Sequence, residues 1–272
     1  MPELPEVETT RCGIAPFIEN NTITKVIVRN RNLRWPIPTG LNTKLSQQKI
    51  LSVTRRAKYL LLETNIGSLI IHLGMSGSLR ILSSDEAVEK HDHFELQFKD
   101  GHCLRLRDPR RFGCVLWEKG DPQQHKLLIN LGPEPLDKAF NAELLFEKSR
   151  KRKTTIKQFI MDAKIVVGVG NIYASESLFL AGIRPTRLAG KITKQNAKDL
   201  TAAIKKILKQ AIKQGGTTLK DFRSSDGKPG YFQQKLKVYD RKDGACVTCK
   251  KPIKQITLGQ RSTFYCPACQ HT

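Results

Sequence analysis

The chain has 272 residues, 39% of them hydrophobic, with 47 Lys+Arg against 25 Asp+Glu and a formal net charge of +22. A chain this long and this apolar can bury real cores, which excludes disorder of the whole and suits one large or two ordinary domains. No apolar run of about 18 residues occurs, so no segment reads as a bilayer span, and the charge favours a polyanion, nucleic acid before an anionic membrane.

The opening segment is acidic, with no apolar stretch of the kind a signal peptide needs, and Glu3–Ile18 reads as a helix. It begins Met1-Pro2-Glu3. Initiator Met is commonly removed before Pro, which would leave Pro2 as a free secondary amine. An α-amino group has a pKa of about 8, roughly two units below Lys, so more of it is neutral and able to attack a sugar carbon. Glu3, with Glu6 and Glu8 behind it, offers carboxylates for proton transfer. A plainer reading of the same residues is a proline and acids suited to a helix start.

Leu60–Glu63 and Ser68–Leu73 form a candidate strand pair. Residues 93–107 alternate apolar and polar around Asp100-Gly101, which predicts a hairpin closed by a type I′ turn. The first 136 residues therefore read as an antiparallel β-sandwich or barrel of short strands with one terminal helix.

After Pro133-Glu134-Pro135 the periodicity becomes helical. Residues 141–149 and 154–163 read as helices, 171–182 as a helix closed by Gly182, and Thr193 as the cap of a longer one ended by Gly215-Gly216. That last helix carries Ala197, Leu200, Ile204, Ile207, Leu208, Ala211 and Ile212 on one face and lysines on the other. Residues 216–235 read as a long loop. Charge follows this division: residues 1–136 hold 19 basic and 15 acidic side chains, and residues 137–272 hold 28 and 10. The phosphate-binding surface is expected chiefly in the second half.

Cys246-Val247-Thr248-Cys249 and Cys266-Pro267-Ala268-Cys269 are separated by 16 residues. Two such knuckles can wrap four thiolates around one Zn²⁺, and four protein ligands leave no position for a reactive water, so the zinc is expected to be structural. Redox CxxC pairs are the competing reading. Cys12, Cys103 and Cys114 stand apart, and an odd cysteine count points to a reducing, cytosolic compartment rather than a disulfide framework.

Five motifs in order, with the zinc finger, resemble the formamidopyrimidine-DNA glycosylase family, bacterial enzymes that remove oxidised purines from DNA. They are Met1-Pro2-Glu3-Leu4-Pro5-Glu6-Val7-Glu8-Thr9, His72-Leu73-Gly74-Met75-Ser76-Gly77, Asp108-Pro109-Arg110-Arg111-Phe112-Gly113, Val167-Gly168-Val169-Gly170-Asn171-Ile172-Tyr173-Ala174-Ser175-Glu176 and Gln214-Gly215-Gly216-Thr217-Thr218-Leu219. The finger segment Gly259-Gln260-Arg261-Ser262-Thr263-Phe264-Tyr265-Cys266-Pro267 completes the set.

The resemblance implies an α+β protein: residues 1–136 an N-terminal β-sandwich catalytic domain, 137–235 a helix–two-turns–helix DNA-binding domain with a lesion-covering loop near 217–225, and 236–272 a zinc finger. It implies that Pro2 attacks C1′, that Glu3 protonates the opening sugar, that Lys58 serves β-elimination, and that finger-tip Arg261 grips phosphate and serves δ-elimination. Met75, Arg110 and Phe112 match residues that fill the gap left by an extruded nucleotide. His91, Arg152, Lys157 and Asn171 match phosphate contacts. The partner implied is double-stranded DNA carrying oxidised purines, bound by a monomer in the bacterial cytoplasm, on the nucleoid, with no membrane.

Lys250 departs from the family, which usually has Gly after the first knuckle, so Lys250 is expected to take a positive φ. The sibling endonuclease VIII family opens Pro-Glu-Gly-Pro where this chain has Pro2-Glu3-Leu4-Pro5. A catalytically silent zinc-finger DNA-binding protein would need neither Pro2-Glu3 nor Lys58. A small-molecule enzyme using an N-terminal proline would leave the basic second half without a purpose.

Overall fold

Short segments rich in Leu, Ile and Val build two antiparallel sheets in the first unit of the chain. The computed structural model describes residues 2–215 and 236–271; they fall into two units, one on residues 2–129 with 214–215 and the other on 130–213 with 236–271. Helix α1 (Leu4–Ile18) precedes β1 (Ile23–Val28), a single turn α2 (Leu41–Leu45), and strands β2 (Ser52–Arg56), β3 (Tyr59–Thr64), β4 (Gly67–His72), β5 (Ser78–Ser83), β6 (Asp92–Phe98), β7 (His102–Arg107) and β8 (Cys114–Glu118). The sheets run β1-β6-β7-β5 and β2-β3-β4-β8. Their inner faces meet in one core with α1, including Ile14, Ile18, Leu60, Leu62, Leu69, Ile71, Phe94, Leu96 and Leu104. This is the expected β-sandwich with a terminal helix.

Three details differ from the sequence reading. The β6–β7 hairpin closes on three residues, Lys99 to Gly101, instead of a two-residue type I′ turn. Only Gly101 takes a positive φ, 87°, because the Asp100 carboxylate accepts from His102 N at 3.1 Å and holds Asp100 in an ordinary conformation. Secondly, the first half holds a further helix: α2 follows Gly40, at φ 73°, and buries Leu41 and Leu45.

The third concerns two polar residues of the hairpin, Glu95 and Arg105, which do not face solvent. Arg105 and Glu95 are 1% and 0% exposed and pair at 2.8 Å. The remaining guanidinium donors of Arg105 reach the carbonyls of Ala87 and Glu86 at 3.1 Å each. A buried ion pair is sustained only when its spare donors and acceptors are also met, and strict alternation cannot show that a loop covers the outer face.

In the second unit, α3 (Ala142–Ser149), α4 (Ile156–Met161), α5 (Asn171–Leu180) and α6 (Lys194–Lys213) follow one another. Helix α4 is shorter than expected because Thr155 Oγ1 caps it, accepting from Gln158 N at 3.3 Å. Helix α5 stops at Gly182, φ 68°, where Ile183 N donates to Leu178 O at 3.0 Å and Gly182 N to Phe179 O at 3.1 Å, a Schellman closure. Thr193 Oγ1 accepts from Asn196 N at 3.0 Å and starts α6, whose Ala197, Leu200, Ile204, Ile207, Leu208 and Ala211 are buried as their spacing predicts.

Strands β9 (Lys254–Leu258) and β10 (Arg261–Tyr265) form the terminal hairpin. Its small core joins Phe179 of α5 to Val238, Cys246, Ile253, Phe264 and Cys266. Buried Glu176 of α5 accepts three successive backbone amides, from Lys237, Val238 and Tyr239, at 2.9 Å each, so the chain enters the finger tethered to α5. The expected loop at 216–235 lies outside the described residues. Among those described, no helix is long and apolar enough to cross a membrane.

Candidate active site and nucleic-acid interface

The N-terminal residues are held by the start of α1. Glu3 is the N-cap, and Glu6 in the first turn accepts from Glu3 N at 2.9 Å, the reciprocal arrangement of a capping box. Pro2, Glu3 and Glu6 are all buried. One turn further, Glu8 ion-pairs with Arg11 and Arg55 at 2.8 Å each. Burial pushes the Glu8 carboxyl up, but the two guanidiniums outweigh it and hold it below its ordinary value.

Arg55 also donates to Ala57 O at 2.8 Å. Ala57, at φ 54°, and Lys58 make the two-residue turn between β2 and β3, closed by the Arg56–Tyr59 pair. Glu8 and Arg55 therefore tie the Lys58 turn to the helix that begins at Pro2. Pro2, Glu3 and Lys58 come from α1 and β2–β3 of a single unit.

His72 ends β4. Its Nδ1 accepts from Gly74 N at 2.9 Å, and its ring lies 4.8 Å from that of Tyr59. Burial, then the charges of Lys58 and Arg34, lower its pKa to about 4. The ring is thus neutral at pH 7 and free to accept. In the sequence His72 is one member of a motif with no part of its own; its position, two residues before a glycine in a left-handed turn, is the available signal.

Met75 follows that turn, with Gly74 at φ 63°. Met75 is 37% exposed and Phe112 43%, so neither is a core residue. Arg110 is exposed as well, and its guanidinium lies 4.8 Å over the Phe112 ring. The segments bearing them touch backbone to backbone: a Cβ on Gly74 would come within 2.4 Å of Phe112 C and Gly113 N. His91, at φ 80°, lies with its ring 6.0 Å from that of His93. The unit thus presents an apolar wedge with a planar cation stacked on it.

In the second unit, Asn171 is the first residue of α5. Its Nδ2 donates to Ser262 O at 2.9 Å, and its Oδ1 accepts from Lys157 Nζ at 2.6 Å. Lys157 is 1% exposed and donates in addition to Thr263 Oγ1 at 2.7 Å and Ser262 O at 3.2 Å. An ammonium has three protons, and these bonds use them. Lys157 here works as a strut between α4, α5 and the finger, a burial that its place near Arg150-Lys151-Arg152-Lys153 did not reveal. Arg152 is exposed, beside Lys151 at φ 60°.

Ser262 and Thr263 directly follow Arg261, so the same bonds fix the finger tip. Gly259 and Gln260, at φ 53° and 60°, form the two-residue turn before Arg261, and a Cβ on Gly259 would meet Gln158 Nε2 at 2.7 Å. Arg261 itself is exposed.

The sulfurs of Cys246, Cys249, Cys266 and Cys269 all lie within 4.8 Å of one another. Thr248 N points at Cys246 Sγ at 3.4 Å, the knuckle geometry that steadies a metal-bound thiolate. Four converging thiols fit one tetrahedral zinc, and the four cysteines hold one structural Zn²⁺. Lys250, after the first knuckle, has φ 65°, as its place in the motif predicts.

Comparison with known proteins agrees over the whole length. Residues 1–115 match the family model of the formamidopyrimidine-DNA glycosylase N-terminal domain, 131–223 that of its H2TH domain, and 245–272 that of a zinc finger found in FPG and IleRS. The chain is 56% identical to the formamidopyrimidine-DNA glycosylase of Thioalkalivibrio sulfidiphilus over 99% of its length and 100% of that protein. It is 58% identical to that of Hydrogenovibrio crunogenus, over 99% and 96%. Among solved structures it resembles the MutM (Fpg) protein of Thermus thermophilus, with 35% identity, TM-score 0.89 and 99% and 98% coverage. It also resembles Lactococcus lactis Fpg in complex with abasic-site DNA, with 33% identity, TM-score 0.92 and 99% and 100% coverage.

Proposed function

Since the chain belongs to the formamidopyrimidine-DNA glycosylase family, we propose that it excises oxidised purines, 8-oxoguanine and formamidopyrimidines, from duplex DNA and then nicks the strand. The observation that carries this reading is the buried Pro2-Glu3 pair at the start of α1, tied through Glu8 and Arg55 to the turn that bears Lys58. A DNA-binding protein without chemistry has no use for that arrangement.

The step begins with the neutral Pro2 nitrogen attacking C1′ while the C1′–base bond breaks and the base leaves protonated. The nitrogen passes its proton through water to the departing base, and its lone pair then opens the sugar: the C1′–O4′ bond breaks, protonated Glu3 delivers its proton to O4′, and C1′ becomes a cationic iminium. The iminium acidifies C2′. Lys58 takes the C2′ proton as the C3′–O bond breaks, which is β-elimination. Loss of the C4′ proton to water then breaks the C5′–O bond and releases the 5′ phosphate, the δ-elimination assigned to Arg261, whose guanidinium grips the leaving phosphate. Water then hydrolyses the iminium and frees Pro2.

Before this chemistry the damaged nucleotide must leave the stack. Exposed Met75 and Phe112 suit insertion into the hole, and Arg110 suits the orphaned cytosine's edge. His91, Arg152, Lys157 and Asn171 remain assigned to the phosphate-binding surface, Lys157 through its hold on Asn171.

Borohydride trapping on 8-oxoguanine duplex tests the reading. A reduced covalent adduct is expected with the intact zinc-loaded protein, and Pro2→Gly is expected to lose it. The absence of an adduct with the intact protein overturns the mechanism. Excision of thymine glycol in preference to 8-oxoguanine would instead place the activity with oxidised pyrimidines.

A further inference from the structure

Three segments of the first unit carry residues assigned to DNA: 73–77 with Met75, 91–93 with His91 at the start of β6, and 108–113 with Arg110 and Phe112. All three are bonded to one residue that has not been given a part, Asp108, which is completely buried. Its Oδ2 accepts from Gly113 N at 2.7 Å. Its Oδ1 accepts the Ser76 hydroxyl at 3.0 Å, and Ser76 Oγ in turn accepts from Arg110 N at 3.3 Å. The main chain of Asp108 takes the start of β6: its N donates to His91 O at 3.0 Å, and its carbonyl meets His93 Nε2 at 3.0 Å.

We propose that Asp108 is a positioning residue which, through Ser76, makes Met75, Arg110 and Phe112 enter DNA as one rigid element. The inference rests on the void-filling role proposed above. A carboxyl group is costly to bury, and among the described residues this one has no cationic partner. What it holds instead is the geometry of two turns. One turn carries strain at Arg111, φ 55°, and the other uses the freedom of Gly74 at φ 63°, and they meet at Gly74 and Gly113 with no room for a side chain between them. Without the Asp108–Ser76 bridge, the Met75 turn and the Arg110–Phe112 turn are joined at their bases, by that edge contact and by the β4–β8 pairing of His72 with Cys114, and lose the side-chain link between them. An insertion that must unstack a base pair tolerates little misplacement, since an error of about 1 Å in a positioned group can cost on the order of a hundredfold.

The test uses full-length protein and a duplex with 2-aminopurine beside a tetrahydrofuran abasic analogue opposite cytosine. This substrate reports insertion by fluorescence and cannot react with Pro2. Ser76→Ala and Asp108→Ala are expected to slow the insertion phase about tenfold or more and to narrow the preference for cytosine over adenine opposite the site. Asp108→Asn is expected to stay near the wild-type rate, because an amide can still accept from Gly113 N and donate to Ser76 Oγ. Thermal melting identifies variants that fold; if Asp108→Ala does not, Ser76→Ala decides alone. Folded variants that insert at the wild-type rate with unchanged opposite-base preference overturn the proposal. A Phe112→Ala control that leaves the signal untouched overturns the void-filling reading itself, and is thereby told apart from failure of the Asp108 bridge.

Discussion

His72 is kept neutral by its surroundings, and that neutrality has a measurable consequence. Its ordinary pKa is 6.5 and its folded value about 4. Between those values the unfolded chain binds a proton that the folded chain does not, so stability falls as pH drops from 6.5 toward 4. A protonated Nδ1 cannot accept from Gly74 N, so the Met75 turn keeps this bond in the folded protein until the pH nears 4. His72→Asn, which keeps an acceptor near the Nδ1 position and cannot titrate, is expected to flatten the fall in Tm between pH 6.5 and 4; an unchanged profile would exclude His72 as its source. At this scale the four zinc cysteines were the most legible part of the chain, because they are defined by spacing, and Pro2 is legible as a candidate nucleophile by its position alone. Lys157, His72 and Asp108 were not, since their parts depend on burial and on partners far along the chain: Ser262 and Thr263 for Lys157, and Ser76 for Asp108.

Among the elements, the zinc finger carries a visible compromise. Lys250 sits at φ 65°, where a side chain costs about 1–2 kcal/mol, while glycine there would give back roughly 0.5–1 kcal/mol in unfolded-chain entropy. Lys250→Gly is thus expected to stabilise the finger by about 0.5–1 kcal/mol, read as zinc release to a chelator slowed about twofold to fivefold. Faster release would show that the Lys250 side chain contributes more than its backbone costs. Most elements could be read from periodicity and caps, the Thr193 cap and the α6 stripe with particular clarity. Helix α2 could not, being one turn after Gly40, and the three-residue β6–β7 loop was misread because Asp100-Gly101 suits two turn types. The buried Arg105–Glu95 pair defeats alternation altogether: a polar residue in a strand gives no sign of whether a loop covers it.

The whole molecule divides its charge unevenly, with 28 basic and 10 acidic residues after position 136, and its grip on DNA should follow salt. Each phosphate contact contributes about −0.9 to the slope of log K against log salt. Arg152→Ala is expected to reduce that slope by about one. Lys157→Met is expected to weaken binding with a smaller change in slope, because its ammonium is spent on Asn171, Ser262 and Thr263; a full unit lost there would mean that Lys157 turns outward to phosphate. The central claim, however, concerns one nitrogen. The most direct measurement is mass spectrometric mapping of the borohydride-reduced adduct formed on 8-oxoguanine duplex. The account predicts that the deoxyribose remnant is found on a peptide that begins at Pro2, on its amine. A remnant mapped to Lys58, or a reactive protein that still begins at Met1, would contradict it.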